Sequence, residues 1–224
     1  MKQIEQLDVV SPYQVIPFGH RCTSAIVANF AQLRKCSLPF DWTIPLFPGK
    51  IREILRNNFE GFIPENICLG NVVNQYGVKL THFHVHNSVE EGIETYERRI
   101  RRFSEMMQSN VYKYFIYVNE DFLFDPKFRE EEFNRAKFDE MCALEEYIKE
   151  NYAHFKFTIL YFDFGKHTPP ADSNILPILL KSTQYWEVDR LSPYNSFREY
   201  VGRIASTIFK SEPSEKLEGI DFRT

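Results

Sequence analysis

The chain has 224 residues, of which 43% are hydrophobic and 26% are charged, and its formal net charge is −4. This composition is that of a folded protein, and the acidic balance argues against a general nucleic-acid-binding surface, which needs an excess of lysine and arginine. No window approaches the roughly 18 apolar residues of a membrane span, and the N-terminus lacks the apolar core of a signal peptide. We therefore predict a soluble, cytoplasmic protein, with one α/β domain over residues 1–210 and a loosely ordered tail over 211–224.

The first predicted unit is a strand over residues 13–19, a short turn and a helix over residues 23–35, whose apolar positions recur with roughly helical period. Pro39 then interrupts the helix, because proline lacks an N–H and restricts the residue before it. A second helix is predicted over residues 48–57.

The middle of the chain contains short elements and one long helix. Residues 71–77 and 78–85 resemble two short strands around a turn. A helix follows over 88–109, because Ser88 and Glu91 form a capping-box pattern. Its inner stripe is Ile93, Tyr96, Ile100, Phe103 and Met107, and its outer faces are predicted to carry Arg98, Arg99, Arg101 and Arg102.

The second half alternates strands with helices. The runs 113–118 and 155–162 are nearly continuous and apolar, as in strands buried on both faces. The remaining predicted elements are a helix over 129–152, strands over 175–180 and 185–188, and a helix over 196–209. This alternation predicts an α/β fold, a three-layer sandwich with a mostly parallel central sheet.

Cys22 lies where the first predicted strand meets the first helix. The unpaired N–H groups and the positive end of a helix dipole stabilise a thiolate, and Arg21 and His20 could lower the pKa of this thiol further. The alternative is that Cys22 is a small buried residue that seals the turn.

The four cysteines, Cys22, Cys36, Cys68 and Cys142, include no C-x-x-C pair, so neither a disulfide framework nor a zinc knuckle is predicted.

Two motifs in the first half of the chain resemble those of a known protein family. The run Phe18-Gly-His-Arg-Cys22, followed by a helix and then by Ser37-Leu-Pro-Phe-Asp-Trp42, resembles the opening of the papain-like cysteine peptidase family, a domain of unknown function in bacteria and large viruses. The histidines of residues 82–84 and the arginine-rich run 98–103 also look similar to that family. The resemblance covers about the first half of the chain, and it implies a cysteine-dependent hydrolase or acyl transferase without establishing its reaction.

In such an enzyme Cys22 would attack a carbonyl carbon, and His82 or His84 would accept the thiol proton. Asp41 or Asp163 would fix the tautomer of that histidine, and backbone N–H groups at the start of the first helix would hold the oxyanion. Asp41 has a structural alternative, in which it caps the turn while its neighbour Trp42 fills the core.

The remaining candidate residues are predicted to bind substrate: Gly19, His20, Arg21, Trp42, Arg99 and Arg102. Arg99 and Arg102 lie three residues apart on one helix face, and their guanidinium groups suit phosphate or carboxylate. The alternative is a solvated helix face paired with nearby glutamates.

His82, His84 and His86 alternate along the chain and would share one face of a strand, which is compatible with metal binding, with a catalytic base or with ordinary surface histidines. No companion cluster of ligands is spaced nearby, so no metal site is predicted. Nucleotide-binding and serine-hydrolase motifs are also missing, and no cofactor is predicted.

Two further functions are compatible with the sequence. One is a transferase of surface-polysaccharide biosynthesis that uses a nucleotide-sugar donor, suggested by the α/β pattern, the aromatic residues and the arginine cluster. The other is a non-catalytic binding domain that keeps the scaffold. The expected substrate is a small molecule, a glycan or a peptide, and the sequence predicts no oligomeric state.

Overall fold

The computed structural model describes residues 8–65, 67, 72–83, 86, 88–119, 138–181 and 193–213. The elements within these ranges follow the chain order predicted from the sequence, apart from the short strand β2, which was not predicted, and the region between α2 and α3. They are β1 (Tyr13–Pro17), α1 (Thr23–Phe30), β2 (Thr43–Ile44), α2 (Pro48–Arg56), β3 (Lys79–Leu80), α3 (Val89–Gln108), β4 (Tyr112–Val118), α4 (Phe138–Asn151), β5 (Phe157–Asp163), β6 (Ile175–Leu179) and α5 (Pro193–Phe209).

Four strands form one parallel sheet in the order β1-β4-β5-β6. The inner strands are apolar along almost their whole length, because helices cover both faces of the sheet. In β4, for example, every residue from Lys113 to Val118 is buried. Because the four strands are parallel, their carboxyl ends all lie at the same edge of the sheet.

The helices divide between the two faces. On one face, α1 and α5 pack over Val15, Tyr114, Ile116, Leu160 and Phe162. On the opposite face, α2, α3 and α4 pack over the alternate side chains of the same strands, including Phe18, Phe115, Tyr117, Ile159 and Tyr161. This arrangement confirms the predicted α/β three-layer sandwich.

The region between α2 and α3 differs from its prediction. Of the two strands predicted over residues 71–85, the described residues keep only β3 and one isolated bridge at Val73. A tight turn lies between them, in which the Asn74 carbonyl oxygen Oδ1 accepts hydrogen bonds from the backbone N–H groups of Tyr76 and Val78. β3 pairs with β2 in an antiparallel two-stranded sheet, which draws the segment after Trp42 toward this turn.

The first helix is shorter than predicted, ending at Phe30 and not near residue 35. Gln32 has a left-handed backbone with φ of 56°, and the N–H groups of Leu33 and Arg34 both donate to the carbonyl of Ala28. The chain reverses there and brings Arg34 to Asp41.

Several predictions lie outside the described residues: the strand over 185–188, the start of the helix over 129–152, and most of the tail. Among the helices of the described ranges, none is both long and apolar enough to cross a membrane.

Candidate functional site

At the carboxyl edge of the sheet, the helices that follow β1 and β4 in sequence lie on opposite faces. After β1 the chain continues into α1 on one face, whereas the helix that follows β4 in sequence, α4, packs on the opposite face. Ligands of open α/β sheets usually bind outside the carboxyl ends of the strands. The turn that contains Cys22 follows the carboxyl end of β1 and lies at this edge.

The turn from Phe18 to Cys22 is fixed by contacts with the neighbouring strand and loop. Ser24 Oγ donates to the Phe18 carbonyl and accepts from the N–H of Val118, so it links β1 and β4. Gly19 is required sterically, since a Cβ there would lie 2.1 Å from the carbonyl oxygen of Arg21. The backbone of this turn therefore has one well-defined course into α1.

Cys22 is half-buried at the N-terminus of α1 and contacts a cation from the other end of the chain. Arg198 of α5 donates from Nη2 to the Cys22 sulfur at 3.3 Å, and from Nε to the Thr23 hydroxyl at 3.1 Å. A guanidinium donor and a helix N-terminus both favour thiolate over thiol. Sequence reasoning missed Arg198, because it lies 176 residues from Cys22 and its helix carries no motif.

His20, two residues before Cys22, is buried with only 1% of its surface exposed. Its ring packs against Phe47 with centroids 4.8 Å apart, and its carbonyl accepts from the N–H of Leu46. Burial, reinforced by the positive charge of Arg21, lowers the pKa of His20 to about 3. The imidazole is therefore neutral at pH 7 and adds no positive charge beside Cys22.

A second polar group lies at the same edge, two strands from β1. Asp163 ends β5, and its carboxylate accepts a hydrogen bond from Nε2 of His167. The imidazole stacks on Phe138 with centroids 4.4 Å apart, and Asn119, which follows β4, donates to the Tyr161 hydroxyl at 3.1 Å. Asp163 was considered from the sequence, but His167 was missed, although a histidine shortly after a buried parallel strand is a recognisable signal.

Asp41 lies in a buried ion pair. Its Oδ2 accepts from Nε and Nη2 of Arg34 at 3.0 and 2.8 Å and from the N–H of Leu38 at 2.8 Å. Burial raises the pKa of Asp41, and the charge of Arg34 and the Leu38 N–H oppose that rise. Trp42 is 1% exposed, and the Arg34 guanidinium lies 5.5 Å from the centroid of its ring. These contacts fit the interpretation in which Asp41 fixes the loop and Trp42 fills the core.

The structure places His82 beside Trp42, with ring centroids 4.7 Å apart. His84 lies outside the described residues, so its pairing with Cys22 stays a prediction. Within the described ranges no group of three histidine, cysteine or acidic side chains could hold a metal ion.

The sequence predicts that all four arginines of α3 lie on its outer, solvated faces, but the structure differs. Arg99 is only 3% exposed, so that expectation is wrong for this residue. Arg102 is half-buried, and its positive charge lowers the pKa of Cys36, although burial of that thiol raises it by more. The two side chains therefore have different surroundings despite their spacing of three residues.

An open groove of about 450 Å³ lies at the opposite edge of the sheet. Its walls include Tyr112, Phe157 and Asn174, at the amino ends of β4, β5 and β6. It is separated from Cys22 by the length of the strands, and its described lining includes no cysteine, serine, threonine or histidine. We therefore place the candidate site at the carboxyl edge.

Compared with protein-family models, curated proteins and solved structures, the chain matches none. The resemblance to the papain-like cysteine peptidase family therefore stays a prediction from the two motifs.

Proposed function

We propose that the protein is a cysteine-dependent hydrolase or acyl transferase, with Cys22 as its nucleophile. The observation that carries the proposal is the contact of the Arg198 guanidinium with the Cys22 sulfur at the N-terminus of α1. A buried structural cysteine needs no cationic donor, whereas a nucleophilic cysteine needs one to hold its thiolate. The position of Cys22 beyond the carboxyl end of β1 adds support, because ligands of open α/β sheets usually bind outside the carboxyl ends of the strands.

The proposed reaction begins when the Cys22 thiolate attacks the carbonyl carbon of an amide, an ester or a thioester. Backbone N–H groups in the first turn of α1 are available to stabilise the oxyanion, since they have no intrahelical acceptor. The tetrahedral intermediate collapses to an acyl-cysteine and expels an amine, alcohol or thiol, which takes a proton from the general acid. Water, or a second nucleophile in a transferase, then loses a proton to the general base and attacks the acyl carbon. The C–S bond breaks, which releases the acid or the transferred acyl product and restores the Cys22 thiolate.

The general acid and base is a histidine in this proposal, and His167 joins His82 and His84 as a candidate. His167 has the carboxylate partner that a triad requires, because Asp163 accepts from Nε2, so Nδ1 is the ring nitrogen that would exchange the proton. It also lies at the same edge of the sheet as Cys22. We place Asp163 in the orienting role, since the hydrogen bonds of Asp41 go to Arg34 and Leu38.

The test is acylation by p-nitrophenyl acetate, followed by intact-protein and peptide mass spectrometry. We expect one rapidly formed acetyl adduct on Cys22, which is lost in Cys22→Ser and kept in the matched control Cys36→Ser. Slower turnover of the adduct in His167→Gln than in His82→Gln would identify the base. Acetylation that is equally slow at all cysteines would contradict the proposal and favour a non-catalytic domain.

A further inference from the structure

Arg99 is a buried cation, and the residues that the structure describes leave part of its guanidinium without hydrogen-bond partners. It lies on α3 with 3% of its surface exposed, and its guanidinium carbon is 4.9 Å from the centroid of the Tyr96 ring. Neither Nε nor Nη1 has a hydrogen-bond partner among the described residues. Burying a charged group without partners costs several kcal/mol, on the order of the whole stability of many domains.

The nearby carboxylate does not balance this charge. Asp41 acts on Arg99 electrostatically, but its Oδ2 is already bonded to Arg34 and to the backbone of Leu38. Two buried guanidinium groups thus share one carboxylate, whose other oxygen, Oδ1, has no partner within the described ranges. With all three groups ionised, the cluster of Arg34, Asp41 and Arg99 carries a net charge of +1.

Two further polar groups beside Arg99 are also unsatisfied. Tyr96 is fully buried, and apart from the Arg99 guanidinium beside it, its hydroxyl has no hydrogen-bond partner in the described part of the chain. Burial raises the pKa of Tyr96 to about 12, so the hydroxyl keeps its proton and can donate. His86 Nε2 is buried and has no partner among the described residues, while the other ring nitrogen, Nδ1, lies 3.9 Å from the Glu91 carboxylate. The Phe83 ring contacts both His86 and Tyr96. The unsatisfied groups therefore include at least three donors on Arg99 and Tyr96.

We propose that Arg99, Tyr96 and His86 form a binding site for a single anionic group, either a carboxylate or a phosphate. Buried polar groups in native proteins are almost always hydrogen-bonded, and a cluster of unsatisfied donors with excess positive charge fits an acceptor that is itself negative. An oxyanion supplies two or more acceptor oxygens and neutralises the charge of Arg99. The site does not depend on the chemistry proposed for Cys22, so either can fail without the other.

The experiment is isothermal titration of the purified chain with inorganic phosphate and, separately, with acetate, at pH 7.5 and at ionic strength matched with sodium chloride. We expect one site in the wild-type protein for at least one of the two anions. Arg99→Met is expected to weaken binding at least tenfold, and Tyr96→Phe, which removes only the hydroxyl, about threefold or more. Arg101→Met is the matched control, because Arg101 is exposed on the same helix, and it should bind as the wild type does.

The two anions separate the ligand classes: binding of phosphate alone indicates a phosphoryl group, and binding of acetate alone indicates a carboxylate. Melting temperatures of all variants, with and without the anion, show that each is folded. If Arg99→Met does not fold, the anion affinity of Tyr96→Phe compared with that of Arg101→Met tests the proposal. Binding that is absent for both anions, or that is equal in Tyr96→Phe, Arg101→Met and the wild type, would overturn the proposal.

Discussion

At the scale of single residues, His20 shows how burial fixes a protonation state. Its pKa is lowered from 6.5 to about 3, mainly because the folded protein removes the ring from water. The unfolded chain binds a proton as the pH falls below 6.5, while the folded protein does not. The stability contributed by neutral His20 is therefore complete above pH 6.5 and is lost progressively as the pH falls toward 3.

This linkage gives a testable pH dependence. Between pH 7 and 5, we expect the free energy of unfolding of the wild type to fall by about 2 kcal/mol more than that of His20→Gln, which has no titrating group at this position. Urea unfolding at the two pH values measures the difference. The control Thr207→Ala changes no titrating group at an exposed position of α5, and its free energy of unfolding should fall by as much as that of the wild type. Equal losses in the wild type and His20→Gln would mean that His20 is protonated in the folded protein.

At the scale of elements, the position of Arg198 depends on how closely α5 packs against α1. Gly202 lies one turn after Arg198, and a Cβ at Gly202 would be 2.4 Å from Cδ1 of Phe30 at the end of α1. The two helices can approach this closely only because residue 202 has no side chain. The packing of one glycine thus supports the contact between Arg198 and Cys22.

We predict that Gly202→Ala destabilises the protein although alanine favours helix. Overpacking costs about 1–3 kcal/mol, whereas the gain in helix propensity is only about 1 kcal/mol. Urea unfolding should show a net loss of up to about 2 kcal/mol, and the loss should shrink in a Phe30→Val background, which removes the ring. The control Thr207→Ala, at an exposed position of α5, should change stability by about 0.5 kcal/mol or less. A stabilised Gly202→Ala would show that α1 and α5 have room to move apart.

At the scale of the whole molecule, local patterns predicted the elements better than the site. The apolar run around β4 and the Ser88 cap of α3 depend on neighbours in sequence, so both were predicted. The early end of α1 was missed because it depends on Arg34 reaching Asp41 across a reversed chain. The burial of Arg99 was missed because an arginine within an arginine-rich run has the pattern of a solvated face.

The site combines residues that sequence spacing cannot relate. The turn through Gly19 and Cys22 was predicted as a strand-to-helix junction, since both elements are adjacent in sequence. The contact of Cys22 with Arg198 and the hydrogen bond of His167 with Asp163 depend on strand order and helix packing. Those features became visible only when the sheet order β1-β4-β5-β6 was known.

The most direct test of Cys22 as the nucleophile is its rate of iodoacetamide alkylation as a function of pH, read by peptide mass spectrometry. Cys36 and Cys142 are internal references, because burial raises the pKa of both thiols. We predict fast labelling of Cys22 well below pH 8, at least tenfold slower in Arg198→Met and unchanged in Arg203→Met, which alters an exposed arginine of the same helix. If Cys22 is labelled no faster than Cys36 and Cys142, and at the same rate in Arg198→Met as in the wild type, the result would contradict the proposal that Cys22 is the nucleophile.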